Sequence, residues 1–253
     1  MRPICTIPFV GIIILAGLSF SIIGNKPINK EPMKEPGFAI VELFTSEGCS
    51  SCPPADELAI ALSKEYMGNV YFLGYHVDYW DYIGWKDKFS KAEYSTLQRQ
   101  YATTFNLSSI YTPQVVVNGK SQFVGSDQNR LRKAIMDELK INRTAEIELT
   151  AKQNENDISV SYKTSASDKS ILRIALVQLH AETSVKRGEN NGRSLKHINV
   201  VRDIQSIAIN KKGDGGTDFK IPAGLGVSDI KLIAFIQDKS DLKIVAATEA
   251  SVQ

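Results

Sequence analysis

Cysteine is scarce in this 253-residue chain, with only Cys5, Cys49 and Cys52. Cys5 falls in the apolar leader, so the body has one pair, two residues apart. A pair that close in sequence shuts a tiny loop and adds little chain-entropy stabilisation, so if it forms a disulfide, chemistry explains it better than stapling. Histidine is equally rare (His76, His180 and His197), which leaves few ligands for a four-coordinate metal centre. Charge of one sign is also missing. Thirty basic residues face twenty-eight acidic ones, a net of +2, and no run of like charges stands out. That balance removes the electrostatic case for nucleic acid or for a charged membrane surface as partner. No internal repeat is visible, and no motif calls for a cofactor.

One long hydrophobic run is present, at the start. After Met1-Arg2, residues 4–23 are largely apolar and include Ile12-Ile13-Ile14-Leu15, with small residues at Ser19, Ser21 and Gly24. A positive residue, an apolar stretch and then a polar segment read as an export signal over residues 1–24. The run is also long enough to span a bilayer, so membrane attachment through residues 4–23 is the rival expectation. Either places the remainder outside the cytoplasm, periplasmic or secreted, where disulfides persist. Residues 25–37, with Pro27, Pro32 and Pro36 among lysines, read as a linker.

From Phe38 the pattern is α/β. Phe38 to Thr45 reads as a mostly buried strand. A helix follows Cys52-Pro53-Pro54, with Leu58, Ala61, Leu62 and Tyr66 on one face, and Val70 to Val77 is a second strand. Ser90 and Glu93 have capping-box spacing for a helix whose face is Tyr94, Leu97, Tyr101 and Phe105. Val115-Val116-Val117, Asn118-Gly119 and Gln122-Phe123-Val124 predict a hairpin with a two-residue turn, and a helix from about Gln128 carries Leu131, Ile135 and Leu139. This is the element order of a thioredoxin-like domain, placed at 38–143. Beyond it, alternating runs such as Ile158/Val160/Tyr162 and Leu172/Ile174/Leu176, broken by Lys211 to Gly216, predict six or seven short strands. They are expected to form a small all-β sandwich-like domain over 144–253. The polar run from Arg187 to Arg202, with Glu189, Asn190, His197 and Asn199, reads as a connection between strands with a structural or interdomain role.

Cys49-Ser50-Ser51-Cys52 sits where a strand ends and a helix begins. Helix N-terminal amides and the macrodipole favour an anion there, so Cys49 is expected to be the exposed nucleophile and Cys52 the resolving thiol. Bringing a thiol from about 8.5 to about 7 raises its thiolate share at neutral pH from a few per cent to half. Ser50 and Ser51 supply hydroxyls but no charge. His76-Val77-Asp78-Tyr79-Trp80-Asp81-Tyr82-Ile83-Gly84-Trp85 leaves the second strand at the same carboxyl edge. His76, Asp78, Tyr79, Trp80 and Trp85 are therefore candidate substrate-binding residues, or else a packed aromatic cap. The chemistry expected is thiol–disulfide exchange with a protein or small-molecule partner. The alternative is a redox-regulated or copper-holding protein, using Cys49, Cys52 and His76 without turnover; a zinc site and an inert scaffold are the remaining readings.

Two resemblances add to this. Tyr111-Thr112-Pro113-Gln114-Val115-Val116-Val117-Asn118-Gly119-Lys120 is similar to the glutaredoxin run in which a cis proline faces the cysteine pair. It implies a cis Pro113, with Thr112 shaping the docking groove. The run from Val41 to Asp56, the run from His76 to Trp85, and Arg187-Gly188-Glu189-Asn190 together resemble a bacterial secreted family known only as domain-of-unknown-function family 1223, of thioredoxin-like fold. That likeness covers nearly the whole chain after the leader and names no reaction. One departure stands out: the buried aspartate beneath the thioredoxin pair aligns here with Leu43. Glu42, one residue off, points to the opposite face of the strand and is expected either to serve from elsewhere or to be paired within the structure.

Overall fold

β1 (Ala39–Thr45) is buried along its full length, because it has a helix layer on each side. The computed structural model describes residues 37–253 together with Met1 and Pro3; the apolar run 4–23 and the linker up to residue 36 lie outside the described residues. Everything below belongs to the unit Lys34–Gln253. Among the described residues no helix is long and apolar enough to cross a membrane.

α1 (Pro53–Glu65) joins β1 to the parallel β2 (Val70–His76), and α2 (Ala92–Thr104) follows. β3 (Gln114–Val117) returns antiparallel beside β1, β4 (Ser121–Val124) pairs with it, and α3 (Gln128–Leu139) ends the first half. Period-two alternation sorts β1 between two cores. Ala39, Val41 and Leu43 meet Ala55, Ala59 and Leu62 of α1 and Leu131 and Ile135 of α3. Ile40 and Phe44 meet Tyr94, Leu97 and Tyr101 of α2. The buried face of α1 is thus Ala55, Ala59 and Leu62, while Ala61 is exposed. The capping box expected at Ser90 does not form, since its hydroxyl donates to Asp81 Oδ2 at 2.7 Å. The hairpin loop has three residues, 118–120, because Val117 pairs with Ser121; Asn118 and Gly119 both take positive φ there. A Cβ on Gly119 would lie 2.0 Å from the Leu242 carbonyl oxygen, so this turn needs glycine.

The second half holds seven strands. They are β5 (Ile147–Asn154), β6 (Asp157–Thr164), β7 (Ser170–Ser184), β8 (Ser194–Ala208), β9 (Asp214–Lys220), β10 (Ile230–Asp238) and β11 (Ile244–Ser251). They do not stand apart as a separate sandwich. β11-β10-β7-β8 continue the sheet of the first half in the order β11-β10-β7-β8-β2-β1-β3-β4, and only β5-β6-β9 form a second, three-stranded sheet. The small sheet packs Ile158, Val160 and Phe219 against Leu172, Leu232 and Ile236 of the large one, which is the sandwich-like part. The other face of the second half closes onto the first: Val177, Phe235 and Ile244 share a core with Phe38, Ile40 and Tyr75. Two readings of loops are corrected. Asp214–Gly216 belongs to β9, and the polar run around His197 is β8, paired with β7 and touching β2 at Gly74↔Val200.

Candidate functional site

β1 delivers the chain to the site and α1 carries it away. Between them the backbone turns twice, with the Cys49 amide donating to the Ser46 carbonyl and the Cys52 amide to that of Cys49, each at 3.2 Å. Pro53 and Pro54 open α1, where a missing amide costs nothing. This turn brings the Cys49 and Cys52 Cα atoms to 5.4 Å, and the two sulfurs are joined as a disulfide. Both cysteines are fully buried, contrary to the expected exposure of Cys49; Ser50 and Ser51 take the surface positions instead. Ser51 Oγ lies 3.4 Å from Cys49 Sγ and 3.5 Å from the Thr112 carbonyl. The Thr112–Pro113 bond beside it is cis.

A cover over this turn comes from two distant segments. Trp80 Nε1 donates to Thr112 Oγ1 at 2.8 Å, and the Trp80 stem stands over Gly48, where a Cβ would come within 3.1 Å. Trp85 Nε1 donates to Glu47 Oε2 at 2.8 Å. From the β7–β8 connection, Asn190 Nδ2 donates to the carbonyls of Glu47 and Cys49, both at 2.9 Å. The Ser50 amide donates to Glu189 Oε2 at 3.0 Å, and the Ser50 hydroxyl together with this amide holds the exposed Glu189 carboxyl below its usual range.

Just inside lies a buried group of ionisable side chains: Glu47, Asp56, His76, Asp87 and His197. His197 Nδ1 is 3.1 Å from Asp56 Oδ1 and its Nε2 is 3.7 Å from Glu47 Oε1. Burial works against the imidazolium, but Asp56 and then Glu47 outweigh it and raise its pKa to about 10. His76 Nδ1 is 2.6 Å from Asp87 Oδ2, and the two imidazole rings meet edge to face at 4.7 Å. Burial opposes the Asp87 charge, yet His76 and the amides of Glu47 and Phe89 bring its pKa below the usual value. Thr45 Oγ1 donates to Asp56 Oδ2 at 2.9 Å.

A family model described as a protein of unknown function (DUF1223) matches residues 40–237, a span that includes the cysteine pair, both covering segments and His197. The chain belongs to this family. Among solved structures, this DUF1223 chain is similar to protein AGR_C_4864 from Agrobacterium tumefaciens, at 25% identity and a TM-score of 0.63, over 86% of this chain and 95% of that one. It is similar in fold to HBP35 of Porphyromonas gingivalis, at 19% identity and a TM-score of 0.62, over 86% of this chain and 76% of that one. No curated protein matches.

The candidate residues of this DUF1223 chain separate into four places. Cys49, Cys52, Ser50, Ser51, Thr112, Pro113, Trp80 and Trp85 gather at the turn. His76 is in the buried ionisable group. Asp78 and Tyr79 bond instead to α2, through Ser95 and Gln98, and hold the covering segment on its helix. Glu42 faces away, as period two requires. Its Oε2 accepts from Tyr101 Oη at 2.5 Å, and burial pushes its pKa up to about 7 against that bond. Glu47, Asp56 and Asp87 were not singled out from sequence. Asp56 reads as an ordinary first-turn acid and Asp87 as a loop residue, so composition carried no signal for their meeting.

Proposed function

We propose that this chain is an extracytoplasmic thiol–disulfide oxidoreductase built on a thioredoxin-like arrangement, with Cys49 and Cys52 as its redox pair. The observation that carries this reading is a Cys49–Cys52 disulfide at the junction of a central strand and a helix N-terminus, facing a cis Thr112–Pro113 bond. In the oxidised direction, a substrate thiolate attacks Cys49 Sγ, the Cys49–Cys52 bond breaks, and Cys52 leaves with the electron pair as a thiolate. A second substrate thiolate then attacks the substrate sulfur of the mixed disulfide and frees Cys49; two electrons have entered the pair and the substrate is a disulfide. The reverse sequence reduces a substrate disulfide, with Cys52 resolving the intermediate. Because both cysteines are buried, each attack requires the cover at Trp80 or the Ser50–Ser51 turn to open locally.

The metal-holding alternative has less support. The two sulfurs are bonded to each other, and among the described residues no three His, Cys, Asp or Glu side chains are grouped to hold an ion. The test is catalysed thiol exchange with insulin as disulfide substrate and a dithiol reductant. Turnover that disappears in Cys49→Ser supports the proposal; equal rates with and without the protein would end it.

A further inference from the structure

A thiolate at Cys49 needs hydrogen-bond donors, and much of the backbone at this turn is committed elsewhere. Proline at the first two positions of α1 removes amides that a helix N-terminus usually presents to an anion. The next two amides, of Ala55 and Asp56, donate to the Cys52 carbonyl at 2.9 and 3.2 Å. The Cys49 amide serves Ser46, the Cys52 amide serves Cys49, and the Ser50 amide serves Glu189. The carboxyls tied to the turn supply no donor when ionised. They are Glu47 and Asp56, with His197 between them, and Glu189 at the Ser50 amide.

The two serines between the cysteines are not equivalent. Both are exposed, but the Ser50 hydroxyl serves Glu189, whereas Ser51 Oγ lies 3.4 Å from Cys49 Sγ. A disulfide sulfur carries no proton, so in this contact the hydroxyl is the donor. Its other acceptor is the Thr112 carbonyl, at a long 3.5 Å. One hydroxyl proton thus faces two acceptors and is held firmly by neither.

We propose that Ser51 is a catalytic residue of the redox pair: on reduction its hydroxyl turns from the Thr112 carbonyl to Cys49 Sγ and donates to the thiolate. This rests on the redox reading above. Two substrate thiols give up two electrons and leave as their disulfide, and the Cys49–Cys52 bond breaks. Of the two protons released, one stays on Cys52 as a thiol and the other goes to solvent, which leaves the charge on Cys49. That charge turns a weak acceptor into a strong one, since hydrogen bonds to ions are roughly twice as strong as neutral ones. The Thr112 contact is long, so little is lost when the hydroxyl turns away from it. Water also reaches Ser51 and competes for the same proton, which holds the expected effect to about one pH unit, a tenfold change.

The test titrates Cys49 in the chemically reduced full chain, through its alkylation rate against pH, with the modified residue located by mass spectrometry. Ser51→Ala should raise the midpoint by about one pH unit, and Ser51→Thr, which keeps the hydroxyl, should stay near the wild type. An unchanged midpoint in Ser51→Ala overturns the proposal, as does an equal shift in Ser51→Thr or in Ser50→Ala. The second measurement is the equilibrium of the pair with glutathione. Above the Cys49 midpoint, Ser51→Ala should be about tenfold harder to reduce, or about 30 mV for two electrons. Well below it Cys49 is protonated in both proteins, and the difference should vanish. A difference that persists there means that Ser51 acts through packing and overturns the proposal. A wild-type pair that never equilibrates with glutathione refutes the redox reading itself, an outcome distinct from the titration.

Discussion

Glu42 gives up its proton only at about pH 7, because burial on the α2 face leaves its carboxylate unsolvated and Tyr101 offsets only part of that. Its pKa in the folded state lies above the unfolded value, so its contribution to stability is complete below about 4.5 and is lost as the pH rises through 7. The gap is worth on the order of 3 kcal/mol. Glu42→Gln should therefore match the wild type near pH 4 and exceed it at pH 8, as read from denaturant midpoints; parallel pH profiles for the two would contradict the buried, protonated carboxyl. His197 shifts in the same direction in a higher window, so its contribution is complete below about 6.5 and fades towards 10. Glu189 is different: exposed, with its carboxylate beside the Ser50 amide. At low salt, Glu189→Gln should speed attack by the anionic thiol glutathione several-fold relative to the cationic thiol cysteamine, and the gain should vanish at high salt. No change in that ratio would show that Glu189 lies off the approach route. Of these residues the sequence made the cysteine pair, Thr112-Pro113 and Trp80 legible, since each belongs to a local motif. The ionisable group was not, because its members come from four separate stretches of chain and meet only through the sheet.

β8 is one of two strands that sequence patterning missed, and the reason is physical. Period-two reading looks for apolar residues on the inward face, but two of the inward positions of β8 are His197 and Asn199, facing the ionisable group and β2 rather than an oily layer. The first-half elements were legible, since their buried faces are apolar and their bounds follow from Pro53-Pro54 and Asn118-Gly119. The connection into β8 also supplies Asn190, which closes two carbonyls of the cysteine turn. Asn190→Ala leaves both buried carbonyls without that donor, at about 1–3 kcal/mol. The disulfide should then be reduced faster by a fixed concentration of dithiothreitol, with the fold retained. A variant that loses stability but keeps the wild-type reduction rate would show that the Asn190 clamp supports the fold without restraining the turn.

At the scale of the whole molecule, the two halves expected from sequence share one sheet and one core. β8 lies between β7 and β2, and Phe38, Tyr75 and Tyr94 from the first half are buried with Val177, Val201 and Phe235 from the second. Cutting at residue 143 would strip β2 of its neighbour, uncover those aromatic side chains, and remove Asn190 and His197 from the site. Each large apolar side chain left exposed forfeits roughly 1.5–3 kcal/mol of burial, and a domain's net stability is only about 5–15 kcal/mol. Residues 38–143 alone should not reach a native state, and the intact chain should unfold in one cooperative step. The positions of the chromophores make this measurable. Trp80 and Trp85, the only tryptophans, report on the first half, whereas far-ultraviolet circular dichroism is weighted by the seven strands of the second. Denaturant titrations followed by tryptophan fluorescence and by circular dichroism should therefore coincide in midpoint and slope. A fluorescence transition well separated from the dichroism transition would mean that the halves fold independently, and that the shared core contributes far less than its burial implies.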